Sequence, residues 1–410
     1  IGPATDAVTP LGYAPLLGLF GGADVLHTFV VAKWLGLLSW LAAAGLLGAL
    51  TERAGERWLR FTPLILVALS APLAAWAVSG METGLVTLLA TLGLIDGEFG
   101  ALALGLAAAW RPELAPFCLV LVGVRAFPAR HGPASVVLRF ALVALPAVVV
   151  ALLRLSYFGR AVPLSFYAKP SDFAHGLRYA LGAFAFTGIP WLVLGTPREL
   201  ARLPRPSRAL FVALLAHFAA LVLCGGDWMT LYRLAVPVLP CGALAGAYLA
   251  EQARVGRTAL RFAFAVTGSL LLALGLGARA RRVGADRAQL IALARPVFAH
   301  DERIAALDVG WVGAARDAEL IDLAGVTDPE VAFFPGGHTS KRIPSAWLFA
   351  HRPTAIVLLL NDGVVRDPFE QSWFSRAVEA RIARVVAPDF KVRTTLSTGD
   401  GQKYVVLEPR

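Results

Sequence analysis

The chain has 410 residues, of which 57% are hydrophobic and only 16% charged, with a mean hydropathy of +0.65; that balance excludes an ordinary soluble globular protein and points to a polytopic membrane protein. Its formal net charge of +10 rests mostly on arginines in short loops between apolar runs, which reads as an orientation signal and excludes a nucleic-acid patch. Three dispersed cysteines, Cys118, Cys224 and Cys241, have no paired spacing and exclude a disulfide framework or a cysteine metal cluster.

The opening "IGPATDAVTP" lacks both Met and a signal peptide and reads as the tail of a loop that follows an earlier membrane helix. Apolar runs then fall near 34–50, 61–78, 83–95, 99–110, 114–124, 134–153, 179–195, 209–224, 234–250 and 262–279. They predict about ten spans, although several are shorter than the roughly 20 residues a straight crossing needs. Between 99 and 124 the "RPE" interruption leaves two short helices or one broken helix open. The loops "TERAGERWLR", "RAFPARHGPASVVLR", "PRELARLPRPSR" and "EQARVGRTALR" hold most of the arginines, which predicts that this set faces the cytoplasm. Within it, "LARLPRPSR" reads as a solvated connector. The alternate loops and everything after residue 280 then face outward.

Past residue 280 the texture changes. "ERIAALDVGWVGAA", "AELIDLAGVTD", "PTAIVLLL" and "QKYVVLEP" are strand-like, and "SWFSRAVEARIARVVA" has helical spacing. The expected organisation is therefore an α-helical membrane domain over 1–279 followed by a small extracytoplasmic α/β domain over 280–410.

With that orientation the unusual polar residues gather on one face: Asp6, Glu82, Arg111, Glu113, Tyr167, Lys169, Asp227, Tyr232 and Arg233. Charges of both signs with aromatics between them suit transfer chemistry on a phosphate-linked substrate. Cations stabilise a departing phosphate, and a carboxylate takes the proton of an attacking hydroxyl. Plainer readings stay open at several positions. Glu82 also suits a helix start, Arg111 and Glu113 a pair across a proline break, and Lys169 and Lys33 interfacial lysines. Arg154, Arg160 and Arg178 read as solvated or bound to lipid headgroups, and His27 as interfacial. Asp227 is the hardest to explain away, with two glycines before it and Arg233 six residues on.

The ordered motifs "SGMETGL", "RPEL", "PLSFYAKPS", "GGDWMTLYRLAVPVLP" and "IDLAGVTDPEVA…GGH" resemble those of bacterial GT-C membrane glycosyltransferases, in the branch similar to terminal arabinofuranosyltransferases. The resemblance implies a GT-C-like helical fold in a bacterial plasma membrane, a polyprenyl-phosphate sugar as donor, and a glycan or lipid of the cell envelope as acceptor. Asp227 is the catalytic candidate the motifs carry over, Asp6 is a further candidate from the opening loop that is not equated with the family's base, and Arg111, Tyr167, Lys169 and Arg233 are the candidates around the donor phosphate. Glu82, Glu113 and Tyr232 would line the cavity. In the C-terminal domain Asp322, Gly325, Asp328, His338 and Lys341 match a "D..G..D…GH..K" pattern, for acceptor binding or closure. Trp228 and the Tyr232–Arg233 pair depart from the family's usual residues, so no particular sugar is implied. No ligand spacing indicates a metal, and a divalent ion stays an open question. The rival expectations are a transporter or flippase and a non-catalytic membrane assembly protein of the same fold.

Overall fold

The computed structural model describes residues 6, 9–22, 24–51, 57–126, 132–361, 374, 376–398 and 402–410. The chain forms two compact units: a helical unit of Pro10–Leu153 and Ser171–Ala280, and an α/β unit of Ile1–Thr9, Arg154–Pro170 and Arg281–Arg410. The chain thus leaves the helical unit and returns to it before the final departure near residue 280.

Four helical segments among the described residues are long and apolar enough to cross a membrane: Val25–Thr51, Pro133–Phe158, Thr230–Gln252 and Val255–Val297. The expectation of ten is corrected, because several of the runs fold as shorter pieces. The runs at 83–95, 99–110 and 114–124 become the helices Thr83–Leu92, Glu98–Trp110 and Ala115–Ala126. Each is too short for a hydrocarbon core of roughly 30 Å. The run at 61–78 breaks at Ser70 into Arg57–Ala68 and Ala71–Ala77. Likewise 179–195 divides between the helix Phe173–Phe186 and a 3-10 turn, Ile189–Val193. The "LARLPRPSR" connector is mostly helical, shared by Pro197–Arg202 and Arg205–Leu223.

Burial divides these segments into inner and outer sets. Thr230–Gln252 is almost wholly enclosed, whereas Val25–Thr51 and Pro133–Phe158 leave most of their apolar surface uncovered. Val30, Trp34, Leu38, Leu41, Leu145, Val148 and Leu152 are exposed, a surface that a lipid bilayer would cover. Inside, small residues let backbones touch. A Cβ on Gly36 would meet the Ala77 carbonyl oxygen at 1.9 Å, and one on Gly84 the Gly36 oxygen at 2.7 Å. Those contacts clamp the end of Ala71–Ala77 and the start of Thr83–Leu92 against Val25–Thr51, as small residues do in membrane interfaces. They also fix the turn that precedes Thr83.

The α/β unit has a five-stranded sheet in the order β2-β1-β3-β5-β4, with β1 (Arg303–Ala306), β2 (Glu319–Asp322), β3 (Ala355–Leu360), β4 (Phe390–Ser397) and β5 (Lys403–Pro409). Strands β1, β2 and β3 are parallel, while β5 runs antiparallel to both β3 and β4. Every residue of β3 is buried, as a central strand covered on both faces requires. Ile356, Leu358, Leu360, Val405 and Leu407 face one core with Leu348, Val378 and Ile382. Val357, Leu359, Tyr404 and Val406 face the other, with Leu290, Ile291 and Trp311. Four of the five strands lie in the runs expected from sequence. "FKVRTTLS" (β4) was not anticipated: its polar alternation suits an edge strand, and a bulge between Val392 and Thr394 interrupts it.

Segment 154–170 belongs to the α/β unit. Its helix Leu164–Ala168 brings the Tyr167 ring to 4.9 Å from that of Phe333, and the Arg160 guanidinium lies 5.1 Å from the same ring.

Candidate active site

In the helical unit three separate turns carry the charged residues inward. Glu82 stands at the start of Thr83–Leu92, yet its side chain makes no capping hydrogen bond. It turns instead to form an ion pair with Arg111. Arg111 follows Glu98–Trp110, where Pro112 cannot continue the helix and favours extended backbone before it. Its guanidinium also reaches Thr83 Oγ1 at 3.3 Å and Glu113 Oε1 at 3.5 Å. Both halves of the expected Arg111–Glu113 pairing are therefore present, with Glu82 as a third member.

The third turn is the stretch "GGDWMTLYR". Gly225 and Gly226 have φ of 81° and 69°, and a Cβ on Gly226 would meet that of Tyr179 at 2.6 Å. Glycine is needed at that close approach. Asp227 then accepts from the Trp228 backbone N–H at 2.9 Å and pairs with Arg233 Nη2 at 2.8 Å. Between them Leu231 and Tyr232 are both left-handed, with φ of 61° and 51°. Each such non-glycine residue costs roughly 1–2 kcal/mol, so surrounding contacts must hold the kink. Trp76 Nε1 donates to the Leu231 carbonyl at 3.2 Å, and the Leu234 N–H donates to the Tyr179 hydroxyl at 3.0 Å. His217 lies 2.9 Å from the Leu234 carbonyl oxygen through Nε2 and 3.3 Å from that of Glu113 through Nδ1. One imidazole thus spans two of the three turns.

The result is a buried group of three carboxylates and two guanidiniums: Glu82, Glu113 and Asp227 with Arg111 and Arg233. Their side chains are 5%, 11%, 5%, 6% and 11% exposed. Asp227 also lies within electrostatic range of Arg111, and Glu82 and Glu113 within that of Arg233. Fully ionised, the group has one negative charge in excess. Arg111 Nε, Arg233 Nε and Glu113 Oε1 are buried without a hydrogen-bond partner. Trp76 lies over the Arg233 guanidinium at 5.8 Å, and Met81 Sδ is 3.5 Å from its Nη1.

Tyr232 packs its ring against Tyr179 and Phe186, at 5.4 and 6.4 Å. Tyr167 and Lys169 belong to the α/β unit, as does Asp6. Arg154 corrects the expectation of a solvated or headgroup-bound arginine: it is 3% exposed and bonded to Asp6 through Nε at 2.8 Å. It also donates to the Thr9 carbonyl. In the C-terminal motif Asp322 is fully buried and accepts from the N–H groups of Ala324 and Thr327 and the Thr327 hydroxyl. Burial pushes its carboxyl above the usual range despite those donors. Asp328 caps the helix Pro329–Phe333, and Lys341 donates to the carbonyls of Ala332 and Phe334 at 2.7 and 2.9 Å. Burial holds the Lys341 ammonium below its usual range. Gly325 has φ of 73°, and a Cβ there would strike the Ala332 nitrogen at 2.5 Å. These residues build one loop and helix, and His338 lies within the same loop.

Sequence reasoning missed His217, Tyr179 and Trp76. Only His217 left a signal, as a lone imidazole inside the apolar helix Arg205–Leu223. Among the described residues no group of three or more His, Cys, Asp or Glu side chains is arranged to hold a metal ion.

Residues 280–406 match a family model described as a domain of unknown function (DUF8728). No curated protein and no solved structure matches the chain.

Proposed function

We propose that the protein is a membrane glycosyltransferase of the GT-C type that moves a sugar from a polyprenyl-phosphate donor to a cell-envelope glycan or lipid on the outer face of the plasma membrane. The observation that supports this reading is the buried set Glu82, Arg111, Glu113, Asp227 and Arg233, assembled from three turns of an apolar unit around a strained backbone kink. Burying five charges in such surroundings is costly, and charges at that depth belong by default to a working site. Two guanidiniums suit a phosphate, which they can hold through paired N–H donors. Three carboxylates exceed what two arginines neutralise, so the group as a whole can take up a proton.

In the proposed step an acceptor hydroxyl oxygen attacks the anomeric carbon of the donor. The bond from that carbon to the phosphate oxygen breaks, its electron pair leaves with polyprenyl phosphate, and the hydroxyl proton passes to a carboxylate. Asp227 is assigned the base role and Arg233, with Arg111, the stabilisation of the departing phosphate. Tyr167, Lys169 and Asp6, being in the α/β unit, are not part of this assignment.

The test is transfer in proteoliposomes containing the full-length protein, polyprenyl phosphate bearing a radiolabelled sugar, and an envelope acceptor extract. Label appearing in the acceptor, with release of polyprenyl phosphate, is the expected result. Label crossing the bilayer still attached to unmodified donor would support the transporter reading instead.

A further inference from the structure

The α/β unit has a cavity of about 460 Å³, lined in part by His300, Arg303, Phe349, Arg352, Phe390 and Arg393. It lies where β1, β3 and β4 begin and β5 ends. That is the opposite end of the parallel strands from Asp308 and Asp322. Its volume is within the range of about 300–1,000 Å³ typical of small-molecule sites.

The charges around it are unevenly spent. Arg393 is saturated: it donates to Asp301 through Nη1 and Nη2 at 2.6 and 3.2 Å, and to Glu408 through Nε at 2.7 Å. Those two carboxylates are thereby occupied. Arg303 and Arg352 also line the cavity, and among the described residues neither guanidinium has an ion-pair or hydrogen-bond partner. The same holds for the exposed imidazole of His300. Two unspent guanidiniums beside a neutralised third leave the cavity positive, whereas Phe349, Phe390 and two prolines give it an apolar wall.

Arg352 adds an independent observation. It follows the helix Ser345–Ala350 and its C-cap His351, and has φ of 45°. That position after a helix usually takes glycine, or sometimes asparagine, because a Cβ is strained there. Pro353 next to it further disfavours a helical alternative. The backbone geometry calls for a glycine, and the chain places a guanidinium at the cavity rim instead. Strain of that kind is commonly found where a side chain is needed for binding.

We propose that this cavity binds a small oxyanion-bearing organic molecule, a phosphate monoester or a carboxylic acid, with Arg303 and Arg352 on the anionic group and the phenylalanines against its body. A bilayer phospholipid headgroup offers the same chemistry as a free sugar phosphate, and the test separates them. Full-length protein in nanodiscs of zwitterionic lipid is titrated calorimetrically with glucose 1-phosphate, glucuronate and neutral glucose, then in discs containing phosphatidylglycerol. The charged probes bind and glucose does not. R303Q and R352G each weaken binding by about tenfold, the loss of one charge-assisted contact. R352G also keeps or raises the melting temperature, because glycine relieves the strained turn. If phosphatidylglycerol discs suppress binding of the charged probes to wild type, the natural oxyanion is a headgroup. Equal binding of glucose and glucose 1-phosphate, no binding of either charged probe, or wild-type affinity in both variants overturns the proposal.

Discussion

Two buried charge networks, one in each unit, solve the same problem differently. In the α/β unit Arg376 donates to both oxygens of Asp308, at 3.1 Å each, and to both oxygens of Glu379, at 2.5 and 2.6 Å. Glu379 also accepts the Leu359 N–H, and Asp308 the Tyr404 hydroxyl. None of these four side chains appears among the buried polar atoms lacking partners. The helical unit's group is unfinished by contrast: surplus carboxylate, bare Nε atoms on both arginines, and two strained residues beside Arg233. A saturated network ties helix Ala377–Val386 to β1 and β3. An unsaturated one in an apolar setting retains binding capacity at a cost in stability, which is what a substrate can use.

Four substitutions would break or sharpen that contrast. The largest effect is expected from R376A, which strands the buried Glu379 carboxylate and the half-buried Asp308 and should cost about 3–5 kcal/mol, read as a lower melting temperature of the full-length protein in detergent. R376K should recover only part of this, because an ammonium lacks the two-pronged geometry. D308N comes next, at about 1–3 kcal/mol near neutral pH. Burial opposes ionisation of Asp308, but Arg376 and Tyr404 outweigh it and hold the carboxyl below its ordinary 3.8. Its stabilisation is therefore present above that value and lost as pH falls through the lower folded value. The melting difference between wild type and D308N should accordingly shrink on acidification below about pH 4. The smallest effect belongs to E113Q, which removes the excess charge of the helical group. Its melting temperature should stay near wild type, a change of under about 1 kcal/mol, and a loss as large as that of R376A would show the group to be saturated after all.

Much of this architecture was written locally. β3 is visible as "AIVLLL" because a strand buried on both faces must be apolar throughout. The amphipathic spacing of "AVEARIARVV" marks the helix Ala377–Val386. The site residues stood out because ionisable groups are conspicuous beside apolar runs. Other features depend on distant contacts. Whether an apolar run crosses a membrane or packs as a short inner helix is decided by neighbours such as Gly36 against Ala77. Segment 154–170 looks like a simple loop, and its membership in the α/β unit rests on Asp6 meeting Arg154 and Phe333 meeting Tyr167. The supports of the kink, Trp76, Tyr179 and His217, look in sequence like ordinary core residues.

The most direct test of the central claim is the rate of sugar transfer by R233A in proteoliposomes, compared with wild type under conditions where both melt well above the assay temperature. Loss of its guanidinium should slow transfer by about 10²–10³-fold, the effect of removing one donor from a developing anion. Transfer at the wild-type rate by a folded R233A protein would contradict the account.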